Sequence, residues 1–192
     1  VQVAQYAAEL GFDEIMFDYV RYPTDGNAAD MVFKDPARPR QETITAFLKY
    51  ASSKLKPLGV HVSAAMFGLA ATADLGIGQW PGKLRNTLDA VYPMVYPSHF
   101  TDGQFGIDKP ADAPGETVAA ALADWRRKTN GGSVQIRPWL QDFTMGNSIT
   151  YGLPQVKAQI AAADRTGASG WLLWNATCRY TAGVFSGTAG QP

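Results

Sequence analysis

Five apolar runs of strand length recur along the 192 residues, and each ends abruptly in charged, polar or aromatic side chains. They cover residues 12–20, 60–68, 88–97, 134–143 and 170–175. Between them lie stretches of helical periodicity: Val3, Tyr6, Ala7 and Leu10; Ile44, Phe47, Leu48, Ala51 and Leu55; Val118, Ala121, Leu122 and Trp125; and residues 155–165 behind Pro154. Apolar residues three and four apart turn one helix face to a core, whereas unbroken apolar runs suit strands covered on both sides. Strands alternating with helices predict a parallel α/β sheet.

Two architectures of that class compete. An open doubly wound sheet wants a glycine-rich phosphate turn after its first strand. Here the first strand is followed by Arg21-Tyr22-Pro23-Thr24-Asp25-Gly26, and Gly76-Ile77-Gly78-Gln79 lacks a third glycine and does not directly follow a strand. A barrel instead predicts long loops after strands and short ones before them, because function sits at one rim. Residues 23–40, 68–81 and 98–114 are long post-strand loops, and the returns at residues 10–12 and 166–170 are short. The expectation is a parallel (β/α) barrel of TIM type, incomplete, with about five βα units against eight and ~250 residues in a closed barrel. Residues 1–192 read as a single partial domain, the chain beginning inside a helix, with the remaining N-terminal barrel units expected from a longer parent chain. Its edge strands would leave such a piece marginal or aggregation-prone by itself.

Composition narrows the function classes. With 46% hydrophobic residues the chain can bury a sizeable core, and 17 basic against 17 acidic residues give no electrostatic pull toward nucleic acid or an anionic membrane. No apolar run approaches the roughly 18–20 residues that span a bilayer. Cys178 has no second cysteine to pair with, and no Cys/His cluster has zinc spacing. No metal or organic cofactor is expected.

The residues able to carry chemistry sit at strand ends. Period-two counting places Glu14, Met16 and Asp18 on one face of the first strand, with Ile15 and Phe17 on the other. Asp18 then points into the barrel mouth, where parallel barrels hold their reacting groups, unless it merely fastens the rim by pairing with Arg21 or Arg137. Asp142 follows an apolar run with Trp139 close by, and is either a second rim carboxylate or a helix cap. Two such acids could supply glycoside hydrolysis, which needs carboxyls ~5–5.5 Å apart for retention or ~6.5–9.5 Å for inversion. Tyr96, Ser98 and His99 form a hydrogen-bonding set after the third run, while His61 falls toward the opposite rim and reads as structural. Trp174 and Asn175 end the last run: an aromatic face can stack on a sugar ring and an amide can bond its hydroxyls. Alternation turns Trp171 to the covering helices if Trp174 lies at the mouth. Trp80, Trp139 and Phe143 are further aromatics near loops, and the Asn175-Ala176-Thr177 sequon lies at a strand end, where modification is not expected.

In order along the chain, F-D-E-I-M-F-D-Y-V-R-Y-P, G-I-G-Q, P-M-V-Y-P-S-H-F, R-P-W-L-Q-D-F and G-W-L-L-W-N-A resemble a family of bacterial glycosyl hydrolases formerly catalogued as a domain of unknown function. The resemblance runs from Gly11 to about Tyr180. It implies a (β/α)8 barrel distantly related to retaining glycosidases, acting on polysaccharide, of which this chain is the C-terminal portion. Export or the cell envelope would suit such a substrate. It also implies an acidic residue near Ala65 in many relatives, where this chain has none. Chitinase-like barrels are similar more loosely: Asp13 and Asp18 line up, but Met16 and Val20-Arg21 stand where further acids belong, and that chemistry is not carried over.

The resulting expectation is a glycosidase in which Asp18 is nucleophile or charge stabiliser, tuned by Arg21, and Asp142 is the general acid. Tyr96, His99, Trp139, Trp174 and Asn175 would hold the oligo- or polysaccharide. The alternative is a non-catalytic carbohydrate-binding barrel, which Ala65 favours. A barrel lyase or aldolase would want a strand-end lysine, whereas Lys34, Lys54, Lys83 and Lys109 fall in loops or helices.

Overall fold

The computed structural model describes residues 1–24, 30–146 and 148–185, so Asp25 and Gly26 of the first long loop lie outside the described residues. The chain divides into two compact units, one of Val1–Pro93 with Trp125–Ile136 and the other of Met94–Asp124 with Arg137–Pro192.

The first unit opens with helix α1 (Gln2–Glu9), which buries none of its residues and leaves Val3, Tyr6 and Leu10 exposed along with Phe12 beyond it. Strand β1 (Glu14–Phe17) is shorter than the apolar run because Asp18 ends it: its carboxylate accepts the Tyr19 N–H at 2.7 Å, and Tyr19 turns to φ 53°. Period-two alternation holds through it. Phe17 packs edge-on against Phe47 of helix α2 (Arg40–Leu55), while Glu14 on the other face accepts the Tyr92 hydroxyl at 2.7 Å. Helix α2 buries Ile44, Leu48, Ala51 and Leu55 of the positions its periodicity marked, while Phe47 stays 37% exposed.

Strand β2 (His61–Phe67) pairs with β1 in parallel, Glu14 opposite His61 and Phe17 opposite Ala64. The Gly76–Gln79 segment returns under the end of β1, where the Tyr22 N–H donates to Ile77 O. Gly78, at φ 81°, is obligatory there, since a Cβ would stand 2.7 Å from both Arg40 O and Ile44 Cγ1. The short helix α3 (Pro81–Leu84) starts on proline. Strand β3 (Ala90–Met94) lies beside β2 in the sheet and carries β4 (Gln135–Ile136) in parallel, Val91 opposite Ile136. Trp125, fully buried, comes from the last part of helix α4 (Pro114–Thr129) and donates its indole N–H to Gly68 O at 2.8 Å.

In the second unit, Met94 at the end of β3 pairs in parallel with Trp139 of β5 (Trp139–Gln141), and the Val95 N–H still donates to Trp139 O. The single strand expected over residues 134–140 is thus two short ones, β4 and β5. Pro138 interrupts it because it has no N–H to give a ladder, although its carbonyl still accepts from Leu172. Strand β6 (Leu172–Trp174) pairs in parallel with β5, and helix α5 (Leu153–Arg165), with Pro154 in its first turn, buries Val156, Gln159, Ala162 and Ala163.

Candidate functional site

Asp18 follows the last residue of β1 and is exposed. Among the described residues its one hydrogen bond is the local one from Tyr19, which engages Oδ1 and leaves Oδ2 open to a ligand. It forms no ion pair with Arg21. That guanidinium donates to Tyr22 O at 3.2 Å and Thr24 Oγ1 at 3.3 Å, and lies over the rings of Tyr19 and Phe67 at 5.3 and 5.0 Å. Arg21 thus lies against the Tyr19 and Phe67 rings, and Tyr19 is also the donor to Asp18. The β1–β2 register ends with Phe17 opposite Ala64, and Ala65, the next residue of β2, is buried.

Behind this rim lies a side chain that sequence reasoning missed. Gln79 is buried, accepts the Phe67 N–H at 2.8 Å and donates to Val20 O at 3.4 Å, tying the chain just past Asp18 to the end of β2.

In the second unit Asp142 directly follows β5, but it is only 3% exposed. Its two carboxylate oxygens accept from Thr181, the N–H at 2.8 Å and the hydroxyl at 2.5 Å. Its N–H donates to Trp174 O, and its carbonyl accepts the Asn175 amide. The helix-cap alternative does not apply, because α5 starts at Leu153. Asn175 is equally committed: its Oδ1 accepts both the N–H and the hydroxyl of Thr177, a turn that closes the end of β6. In this arrangement Asp142 and Asn175 tie the two strand ends together.

The aromatics are disposed differently. Trp174 is 44% exposed and meets Trp139 edge-on, centroids 5.9 Å apart at 86°. Trp171 stacks on Phe185, centroids 6.1 Å apart. Tyr96, His99 and Phe143 form a second cluster, with Tyr96 edge-on to His99 at 5.2 Å and to Phe143 at 5.6 Å. Tyr96 is buried beneath it, while His99 keeps part of its ring in solvent. Partial burial holds the His99 imidazole below its usual pKa, so the ring is neutral at pH 7, able to donate and accept. His61, at the start of β2, is exposed and stands 4.0 Å from Asp89.

The Thr181 clasp on Asp142 left no mark in the sequence, because its partners stand 39 residues apart in different loops. Gln141 left one: a polar amide inside an apolar strand run has to be satisfied internally.

Over residues 1–180 the chain matches a protein family described as "Putative glycosyl hydrolase domain". No curated protein matches it. Among solved structures it is similar to the spore cortex-lytic enzyme SleL of Bacillus cereus, at 13% identity and a TM-score of 0.60 over 93% of this chain and 49% of that one. SleL of Bacillus megaterium is similar at 12% identity and TM-score 0.58, again over 93% and 49%. The PgaB (BpsB) glycoside hydrolase domain of Bordetella bronchiseptica aligns at 13% identity and TM-score 0.50, over 71% of this chain and 37% of that one. The chain spans less than half the length of each of these structures. At such identities the likeness shows the fold, and that fold is the incomplete parallel α/β barrel expected from the sequence.

Proposed function

The chain belongs to this glycosyl hydrolase domain family, and from that premise we propose that it carries part of a site that cleaves glycosidic bonds in an oligo- or polysaccharide. The observation that carries the reading is Asp18, an exposed carboxylate at the carboxyl end of a parallel strand with one oxygen uncommitted. In an oxocarbenium-like transition state an ionised carboxylate serves as nucleophile or charge stabiliser. Exposed Trp174, braced by Trp139, offers a flat surface to the apolar face of a sugar ring, and neutral His99 offers hydrogen bonds to hydroxyls.

Asp142 is the general acid of this proposal only with Thr181 withdrawn. As bound, both its oxygens are taken up by Thr181 and neither faces a ligand. That occupancy, with apolar Ala65 buried on β2, favours a second reading, a carbohydrate-binding barrel without turnover.

Further βα units of a longer parent chain would complete the barrel. The uncovered apolar face of α1 and the position of β1 at the end of the strand order support this.

The test is a reducing-sugar screen over a polysaccharide panel with the complete parent protein and its Asp18→Asn variant. Release of reducing ends that Asp18→Asn abolishes, with the fold intact, supports the enzyme. Turnover retained in Asp18→Asn rejects the Asp18 role, and saturable binding with no release selects the binding reading.

A further inference from the structure

Gln141 is fully buried, and its side chain spans two rim segments of the second unit. Its Oε1 accepts the Ser98 N–H at 3.0 Å, within the 3-10 turn Pro97–His99, and its Nε2 donates to Phe143 O at 2.8 Å. Its own backbone is clamped from α5: the Gln141 N–H donates to Gln159 Oε1 at 2.9 Å, and Gln159 Nε2 donates to Gln141 O at 2.8 Å. Gln159 is also fully buried. A buried amide costs free energy unless its donors and acceptors are matched, so a fully matched pair holds its neighbours to one geometry.

What this pair holds is the aromatic cluster. His99 follows Ser98 directly, and the Phe143 ring stands 6.2 Å from the His99 ring. One amide thus fixes the backbone of both walls between which His99 is partly dehydrated.

We propose that Gln141 is a positioning residue for saccharide binding: by bridging Ser98 and Phe143 it sets the spacing of the Tyr96, His99 and Phe143 rings. The assignment rests on the carbohydrate reading above, but the geometry it predicts is measurable without any ligand. Methionine matches glutamine in length and carries no amide, so Gln141→Met cuts both ties with little change of volume. The walls then relax, water reaches His99, and its titration midpoint climbs toward the ordinary imidazole value of about 6.5.

The protein has two histidines, and His61 lies on β2, so it is an internal reference in the same NMR titration. The expected result is an upward shift of His99 with His61 unmoved, together with about tenfold weaker binding of cellohexaose or chitohexaose. Val156→Ala, a truncation of a fully buried residue on α5, is the control for general loosening and should leave His99 in place.

Gln141→Met titrating at His99 like the wild type overturns the proposal, as does an equal shift in Val156→Ala. Should Gln141→Met fail to fold, amide exchange on the wild type decides: Ser98 must be protected, and exchange at the unprotected rate overturns the bridge. A His99 shift with no hexasaccharide binding by the wild type upholds the positioning while removing the saccharide reading.

Discussion

Replacing Asp142 by asparagine separates a fastening role from a chemical one. The side chain is 3% exposed and both its oxygens accept from Thr181, at 2.8 and 2.5 Å. Asparagine has nearly the same shape but no charge: its oxygen can keep the Thr181 N–H, while its NH2 meets the Thr181 hydroxyl, which turns from donating to accepting. Hydrogen bonds to a charged group contribute about 1.5–3 kcal/mol each, against about 0.5–1.5 kcal/mol between neutral groups, so each of the two bonds weakens by about 1–1.5 kcal/mol. Asp142→Asn should therefore lose roughly 2–3 kcal/mol. For a chain of this length about 1 kcal/mol moves Tm by roughly 2–4 °C, so the midpoint should fall by at least about 4 °C. Urea and thermal unfolding followed by circular dichroism measure this directly. Thr181→Val should reproduce part of the loss, because it removes the hydroxyl and spares the N–H. An Asp142→Asn chain within about 0.5 kcal/mol of the wild type would refute the clasp and return Asp142 to the pool of free catalytic acids.

Trp174→Ala should cost no more than about 1 kcal/mol of stability, since 44% of the residue is already in solvent, while hexasaccharide affinity measured by calorimetry falls about tenfold. Trp125→Phe, by contrast, should destabilise the fold by roughly 2–3 kcal/mol in thermal melts, because it opens a void and strands the Gly68 carbonyl. At Asp89, burial pushes the carboxyl pKa up, but the Val62 N–H and Lys56 outweigh it and hold the value below 3.8. The stabilisation is present above that pH and is lost as pH falls through the lowered value, so Asp89→Asn should be less stable at pH 6 and converge with the wild type near pH 2 in urea titrations. His99 acts in a higher window with the same slope: its folded pKa is lowered, the unfolded chain takes the proton first, and stability declines as pH drops below about 6.5.

The parallel sheet, its helices and the strand-end position of Asp18 were legible because they depend on periodicities that reach only a few residues along the chain. Ile44, Leu48, Ala51 and Leu55 had to share a face, and Phe17 and Glu14 had to point apart. Strand ends were less legible. An Asp18 carboxylate accepting the next N–H, or Pro138 lacking one, ends pairing without changing the apolar pattern. The commitments of Asp142 and Asn175 were invisible for a different reason. Each is a polar residue at a strand terminus, the very pattern a ligand-binding group would show, and only contacts 33 and 39 residues distant reveal that they are already occupied.

Tyr19 adopts a backbone conformation that costs a residue with a Cβ about 1–2 kcal/mol, and it does so with its ring spread under Arg21. Glycine at this position would relax the main chain and delete the ring in one step, so two opposing quantities meet in a single codon. A chain that became sturdier on that exchange, yet let Arg21 wander, would mark this corner as one where durability has been traded for a fixed cation near the acid.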